Sequence, residues 1–225
     1  MPGVEQAIPL LRTDILPDLP VMPTAATAKP ARPKRGTINK RSILDAAALM
    51  FHEKGYDRTT LDDIASALSV TKPSLYYHFA NKEEILIECV TAANEHLQAE
   101  LKIQDDVSLN GRRRVEIFLR LYLEVISHDI GVSMVLADDR VMSGAGRERY
   151  NGFRRLMNTQ LEDRIKAGVA DGSIVAPETR LTTYALFGMF NWVGHWNFRR
   201  KTVSLDEIFE RFMSVAFDGI GAKPV

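Results

Sequence analysis

Apolar side chains recur along this chain at helical spacing, with no strand-like alternation. Ile43, Ala47, Met50 and Phe51 stand at i, i+4, i+7 and i+8, and Leu44 and Ala48 widen the stripe. They predict a first helix that stops near Gly55, with Tyr56 packing back on it. A second helix opens at Thr60, with Asp63 three residues on as a capping partner, and carries Leu61, Ile64, Ala65 and Leu68. Ala65 is small where two helices must approach. Ser69 and Val70 make a short turn. A third helix begins at Thr71, with Pro73 in its first turn and Leu75 and Phe79 inward. Asn81 and Glu84 start a fourth, running from Lys82 to about Lys102 along Leu86, Cys89, Val90, Ala93 and Leu97.

The rest of the chain continues the pattern. Val115, Phe118, Leu119, Tyr122 and Ile126 mark a fifth helix, and Val132–Ala137 a short sixth. Asp138–Gly146 reads as a loop. A seventh helix turns Phe153, Leu156, Met157, Leu161, Ile165 and Val169 inward and ends at Asp171-Gly172. Pro177 opens an eighth, in which Leu181–Phe198 holds no charged residue. That length approaches a membrane span, but Thr182, Thr183, Asn191, His195 and Asn197 are spread through it. A helix apolar on all sides needs cover on all sides, and a second copy of the chain supplies what its own domain does not. Ser204 and Glu207 cap a ninth helix carrying Ile208, Phe209, Phe212, Met213, Ala216 and Ile220. The expected homodimer joins helices 177–200 and 204–220 of each chain. Gly188 and Gly194 point to close helix contact or a ligand beside them.

The fold class is therefore all-α: an N-terminal three-helix helix-turn-helix domain and a larger C-terminal helical domain for ligand binding and dimerisation. The expected boundaries are 1–36 for a disordered arm, 37–83 for the helix-turn-helix domain and 84–221 for the C-terminal domain.

The third helix suits a DNA major groove, being polar at its front and aromatic at its back. Thr71, Lys72 and Ser74 are the candidates for base edges: Lys72 to guanine N7 or O6, Ser74 to several bases. Tyr76, Tyr77 and His78 offer donors for phosphate oxygens. Lys82 adds a charge at the start of the fourth helix, where backbone amides form an anion site, and Thr60 does the same for the second. The competing reading makes Tyr76, Tyr77 and Phe79 a packed aromatic cluster.

Gly55-Tyr56, Thr59-Thr60-Leu61-Asp62-Asp63-Ile64-Ala65, Val70 through Phe79 and Asn81-Lys82-Glu83-Glu84 together resemble the DNA-binding domain of the TetR/AcrR family of bacterial transcription regulators. By that resemblance Lys72, Ser74 and Tyr76 match groove-facing positions, and Thr60, Tyr77, His78 and Lys82 phosphate-contacting ones. Many relatives carry Gly or Ala where Pro73 or Ser74 stand, so base preference does not transfer. The resemblance also implies the dimer and repression. Two recognition helices about a two-fold axis read a palindromic operator on double-stranded DNA, with half-sites about one helical turn apart or more. A ligand that favours one spacing by a few kcal/mol releases the DNA.

Composition adds three points. Residues 1–36 hold seven of the ten prolines, and six basic residues with no acidic one lie between Lys29 and Arg41. This predicts a flexible basic arm lying along the DNA backbone or in the minor groove, against the alternative of a solubilising tail. It lacks the apolar core of a secretory signal. Lys and Arg (29) balance Asp and Glu (29), so DNA affinity is local to one end and the protein is expected to be soluble and cytoplasmic. The single cysteine, Cys89, lies on an apolar stripe and reads as core, against a redox sensor.

Candidates for an effector pocket are Tyr122, Met134, Phe153, Met157, Phe187, Trp192, His195 and Trp196, with Asn191 and His195 as polar points. Each competes with an ordinary core or dimer-interface role. Gly188 to Trp192 with Trp196 resembles the corresponding helix of relatives that sense coenzyme A thioesters of fatty or steroid-derived acids, for which Arg154, Arg155, Arg199 and Arg200 are the nearest cations to the phosphates. Other apolar or aromatic molecules stay open. No cofactor and no metal are expected, since His128 and His195 are scattered. An enzyme is disfavoured because no nucleophile–base spacing or phosphate loop is present. A regulator without a small-molecule switch is the remaining alternative. An open polar-studded cavity favours the switch; a cavity filled by side chains favours its absence.

Overall fold

The computed structural model describes residues 38–196 and 202–220. The expected N-terminal arm, Arg199 and Arg200 lie outside the described residues. Among those described, every regular element is a helix: α1 (Lys40–Lys54), α2 (Leu61–Leu68), α3 (Lys72–Tyr76), α4 (Lys82–Gln104), α5 (Gly111–Ile126), α6 (Asp129–Leu136), α7 (Gly144–Ala170), α8 (Thr179–Trp196) and α9 (Leu205–Asp218), with one 3-10 turn at Asp139–Val141.

Local chemistry sets the first three. Asn39 Oδ1 accepts from the Ser42 amide at 2.8 Å, and Ser42 returns a contact to the Asn39 backbone. Gly55 ends α1 at φ +85°, where a side chain would be strained. Thr60 and Asp63 form the expected reciprocal cap of α2. Ser69 takes the left-handed conformation (φ 55°, ψ 40°) that turns the chain from α2 toward α3. Ile43, Ala47, Ile64, Leu75 and Phe79 are buried together beneath them.

α4 is the spine. It starts in the helix-turn-helix domain, crosses the expected boundary at 83/84 without a break, and packs on α1, α5, α6 and α7. Cys89 is buried on it, and burial pushes its thiol well above the ordinary range. Where α4 ends, Asp105 accepts from Arg114 of α5 and Arg164 of α7.

The seventh helix departs from expectation. It begins at Gly144, inside the expected loop, and Leu156 and Val169 are exposed. Met157, Leu161 and Ile165 face inward as expected, and Tyr150, Arg164 and Gly168 join them in place of Leu156 and Val169. Leu156 and Val169 each sit one residue, about 100° of helix, off that stripe. Hydropathy alone favoured Leu156 and Val169 over Arg164 and Gly168. The α9 cap is one-sided, with Ser204 Oγ accepting from the Glu207 amide at 3.1 Å.

The crossing of α5 and α7 requires glycine. A Cβ on Gly111 would lie 2.0 Å from the Gly168 nitrogen and 2.3 Å from its Cα, and one on Gly168 would lie 2.5 Å from Ile174 Cδ1. The Gly111 amide donates to Asp171 Oδ2 at 2.7 Å, which pins the two helices at that approach. Gly111→Ala should therefore cost about 1–3 kcal/mol, the usual range for overpacking, read from the urea midpoint. An unchanged midpoint would show that the helices separate freely here.

Candidate DNA-reading face and effector cavity

The short α3 presents its polar side because Leu75 and Phe79 anchor the other. Tyr76 is half exposed and Tyr77 is 86% exposed, so neither belongs to a packed aromatic cluster; Phe79 alone of the three is buried in the core. The His78 ring meets the edge of Tyr77 at 5.1 Å and is partly buried. The Thr71 and Ser74 hydroxyls lie 2.9 Å apart. Lys72 Nζ donates to Asp62 Oδ2 at 2.8 Å, and that bond raises the pKa of the ammonium group. Asp62 thus holds the lysine at the front of α3, a partnership between helices that no local pattern announces.

Thr60 is exposed at the head of α2, where Asp63 occupies its amide and hydroxyl at 2.9 and 2.7 Å. The hydroxyl and amide of Thr60 and the amine of Lys54 hold the Asp63 carboxyl down at about 2. Lys82 does more inside the protein than its place in the sequence suggested. Its ammonium group donates to the carbonyls of Tyr56 (2.6 Å) and Thr59 (2.9 Å) and sits 4.1 Å from the centre of the Tyr56 ring. Burial of Lys82 lowers its pKa. Burial, with Glu83 and Asp57 nearby, pushes Tyr56 up to about 12. Thr59, absent from the candidates, is buried and donates to the Met50 and Gly55 carbonyls at the end of α1. Lys82 and Thr59 together fix the loop that delivers α2 and α3.

A cavity of about 510 Å³ lies in the C-terminal domain. Tyr122 comes from α5, Met134 from α6, Phe153, Met157 and Asn158 from α7, and Phe187 and Asn191 from α8. Asp138 and Arg154 stand in its wall, and Arg155 is exposed on the same helix. Tyr122 and Phe187 meet edge to face at 5.1 Å. The Tyr122 hydroxyl donates to Asn191 Oδ1 at 2.7 Å, and the Tyr150 hydroxyl to the carbonyls of Met134 and Ala137. Tyr150 and Tyr184 are not among the candidates; each lies three residues before one that is, Phe153 and Phe187.

Trp192, His195 and Trp196 do not reach this cavity. Trp192 is 63% exposed, its ring 4.6 Å from that of the exposed His195. Trp196 packs half-buried against the core. The cavity follows Tyr184, Phe187, Gly188 and Asn191 along α8, and Trp192 and Trp196 sit roughly 100° or more around the helix from Asn191. His195 lies near that face, but one turn beyond the cavity, by His52 and Gly55 of the N-terminal domain. Leu181, Tyr184, Gly188 and Trp192 instead form an exposed stripe along α8, and Val215, Ala216 and Ile220 add exposed apolar surface on and just after α9. Among the described residues no helix is long and apolar enough to cross a membrane, and no cluster of His, Cys, Asp or Glu could hold a metal ion.

A helix-turn-helix head on a helical domain with a ligand-sized cavity between its helices defines a class of DNA-binding regulators. Residues 43–89 match the family described as bacterial regulatory proteins, tetR family, and residues 108–220 match the tetracyclin repressor-like C-terminal domain. The chain belongs to the TetR family of DNA-binding transcriptional regulators, whose members are typically repressors. It is 27% identical over 190 residues to the HTH-type transcriptional repressor KstR2 of Rhodococcus jostii, covering 81% of this chain and 91% of that one. The biofilm operon negative regulator IcaR of Staphylococcus epidermidis is 38% identical over 99 residues, 39% of this chain and 54% of its own. Among solved structures, the TetR-family regulator PfmR of Thermus thermophilus superposes with a TM-score of 0.71 at 26% identity, over 80% of this chain and 99% of that one. AibR, solved with isovaleryl coenzyme A and operator DNA, shares the fold with a TM-score of 0.71 at 20% identity, over 79% and 97%.

Proposed function

We propose that this regulator is a ligand-responsive repressor, working as a homodimer on a palindromic operator and released by a small apolar effector, with acyl-CoA the favoured class. The observation that carries the reading is the cavity. Its volume suits a small ligand, its walls combine apolar and aromatic side chains with polar tips, and Val90 of α4 lines it on the helix that continues from the DNA-reading head. The exposed stripe of α8, with the apolar surface of α9, is the proposed dimer face, since apolar area of that kind is normally covered. Thr71, Lys72, Ser74 and Tyr76 read the groove. Tyr77 and His78 hold phosphates, Thr60 acts by capping α2 with its donors on Asp63, and Lys82 acts by bracing the loop. Arg154 and Arg155 are the described cations for coenzyme A phosphates. A regulator rather than an enzyme fits the family models that match the chain.

Fluorescence anisotropy with the DNA upstream of the protein's own gene tests this. Two chains per palindrome are expected, with release by an acyl-CoA and none by free CoA. Tight binding indifferent to every acyl-CoA would remove the ligand class and leave a regulator of another trigger.

A further inference from the structure

We infer that Asn191 is the residue by which the cavity recognises a carbonyl oxygen on its effector, and that Tyr122 is the positioning residue that aims it. This rests on the reading of the cavity as the effector site. Tyr122 is 4% exposed, and its hydroxyl has one proton to place. A buried hydroxyl left without an acceptor is costly. The acceptor is Asn191 Oδ1, at 2.7 Å. Burial keeps the phenol protonated across the working range of pH, so the hydroxyl remains a donor.

The consequence for Asn191 is geometric. An amide whose oxygen faces Tyr122 turns its NH2 group the other way. Among the described residues nothing accepts from that nitrogen. Other polar tips in the wall are already engaged: Tyr150 with the carbonyls of Met134 and Ala137, Asp138 with Arg140, Tyr184 with Arg180 Nε at 2.9 Å, and the Arg154 guanidinium over the Tyr150 ring at 6.0 Å. Asn191 thus offers a neutral, oriented donor beside the Phe187 ring. A neutral donor among aromatic walls suits the oxygen of a thioester, ester or ketone. Asn158, across the cavity on α7, is a second amide, but no neighbour fixes which way it faces.

The test uses two matched pairs of probes: octanoyl-CoA against its S-octyl thioether, and octanoyl-N-acetylcysteamine against its thioether. Members of each pair differ only in the thioester carbonyl. Binding to the full-length protein is measured by calorimetry. A site built to hydrogen-bond a group rejects the analogue that lacks it, so the thioester should bind at least about tenfold tighter in at least one pair. Asn191→Leu should erase that preference, so that the two members of a pair bind within about twofold of each other, and Asn158→Leu should keep it. Tyr122→Phe should reduce the ratio of thioester to thioether affinity, a ratio that a merely structural role, which loosens the wall for both ligands alike, would not move. Equal binding of thioester and thioether to the natural protein would overturn the inference, as would a preference that survives Asn191→Leu. Discrimination within the cysteamine pair alone would uphold it while removing coenzyme A from the proposed function. Binding of none of the four would overturn both.

Discussion

Asp105→Ala should lower the unfolding free energy by about 3–5 kcal/mol, the range for removing one partner of a buried ion pair. The Asp105 side chain is 8% exposed and that of Arg164 10%. One carboxylate serves two guanidinium groups: Arg114 Nε and Nη2 at 2.8 and 3.2 Å, and Arg164 Nη2. Arg164 also lies 5.0 Å from the centre of the Phe118 ring, so it cannot swing into water without opening the α5–α7 interface. Without Asp105, two like charges share a site in which one is buried. The exposed pair Arg41–Asp45, on one turn of α1, gives the contrast: Asp45→Ala should cost less than about 1 kcal/mol.

The same network sets an acid limit. Burial alone would raise the Asp105 carboxyl, but the hydrogen bonds and charges of Arg114 and Arg164 outweigh it and hold the pKa below the usual range. A folded-state value below the unfolded one, about 3.9, gives stability that is complete above the unfolded pKa. That stability is lost as pH falls through the folded value. Urea unfolding followed by circular dichroism should therefore show the natural protein losing stability below about pH 4, with a shallower loss in Asp105→Asn. Equal slopes would assign the acid sensitivity to other carboxylates.

How much of this was legible in the sequence depended on how local its causes are. The caps of α1, α2 and α4 each involve residues three apart, so Thr60 with Asp63 and Asn81 with Glu84 announce themselves. The inward pair Leu75 and Phe79 is one helical turn, and it follows that Tyr76 and Tyr77 are left outside. The pairing of Asp105 with Arg164 spans 59 positions and leaves no trace in periodicity. It put a buried arginine on α7 where hydropathy favoured Leu156 and Val169. Lys82 was read as a free charge because its partners, the carbonyls of Tyr56 and Thr59, are backbone atoms 26 and 23 residues away. The cavity was half legible. Tyr122, Met134, Phe153, Met157, Phe187 and Asn191 converge on it, while Trp192 and Trp196, four residues apart and so on one face, lie beside the stripe of α8 that faces the cavity.

Lys72→Ala should weaken operator binding by about 1–3 kcal/mol per half-site, the usual worth of a base-reading side chain. That is about 5- to 150-fold for one protomer. A dimer with two half-sites would lose about 2–6 kcal/mol in all, the largest functional effect expected of any single substitution here. To reach DNA the lysine must leave Asp62, and that exchange is inexpensive. The pair is 43% and 67% exposed, and surface pairs are worth about 0–1 kcal/mol. Asp62→Asn should therefore bind the operator as well as the natural protein or better. Tyr77 separates base reading from backbone holding. At 86% exposed it contributes little to the fold, and Tyr77→Phe removes only its hydroxyl. If that hydroxyl meets a phosphate, the loss should be equal on operator and random duplex, whereas Lys72→Ala should narrow the gap between the two. Competition anisotropy with both duplexes at two salt concentrations reads both effects. A Lys72→Ala protein that keeps its full preference for the operator would move base recognition from Lys72 to Thr71, Ser74 and Tyr76.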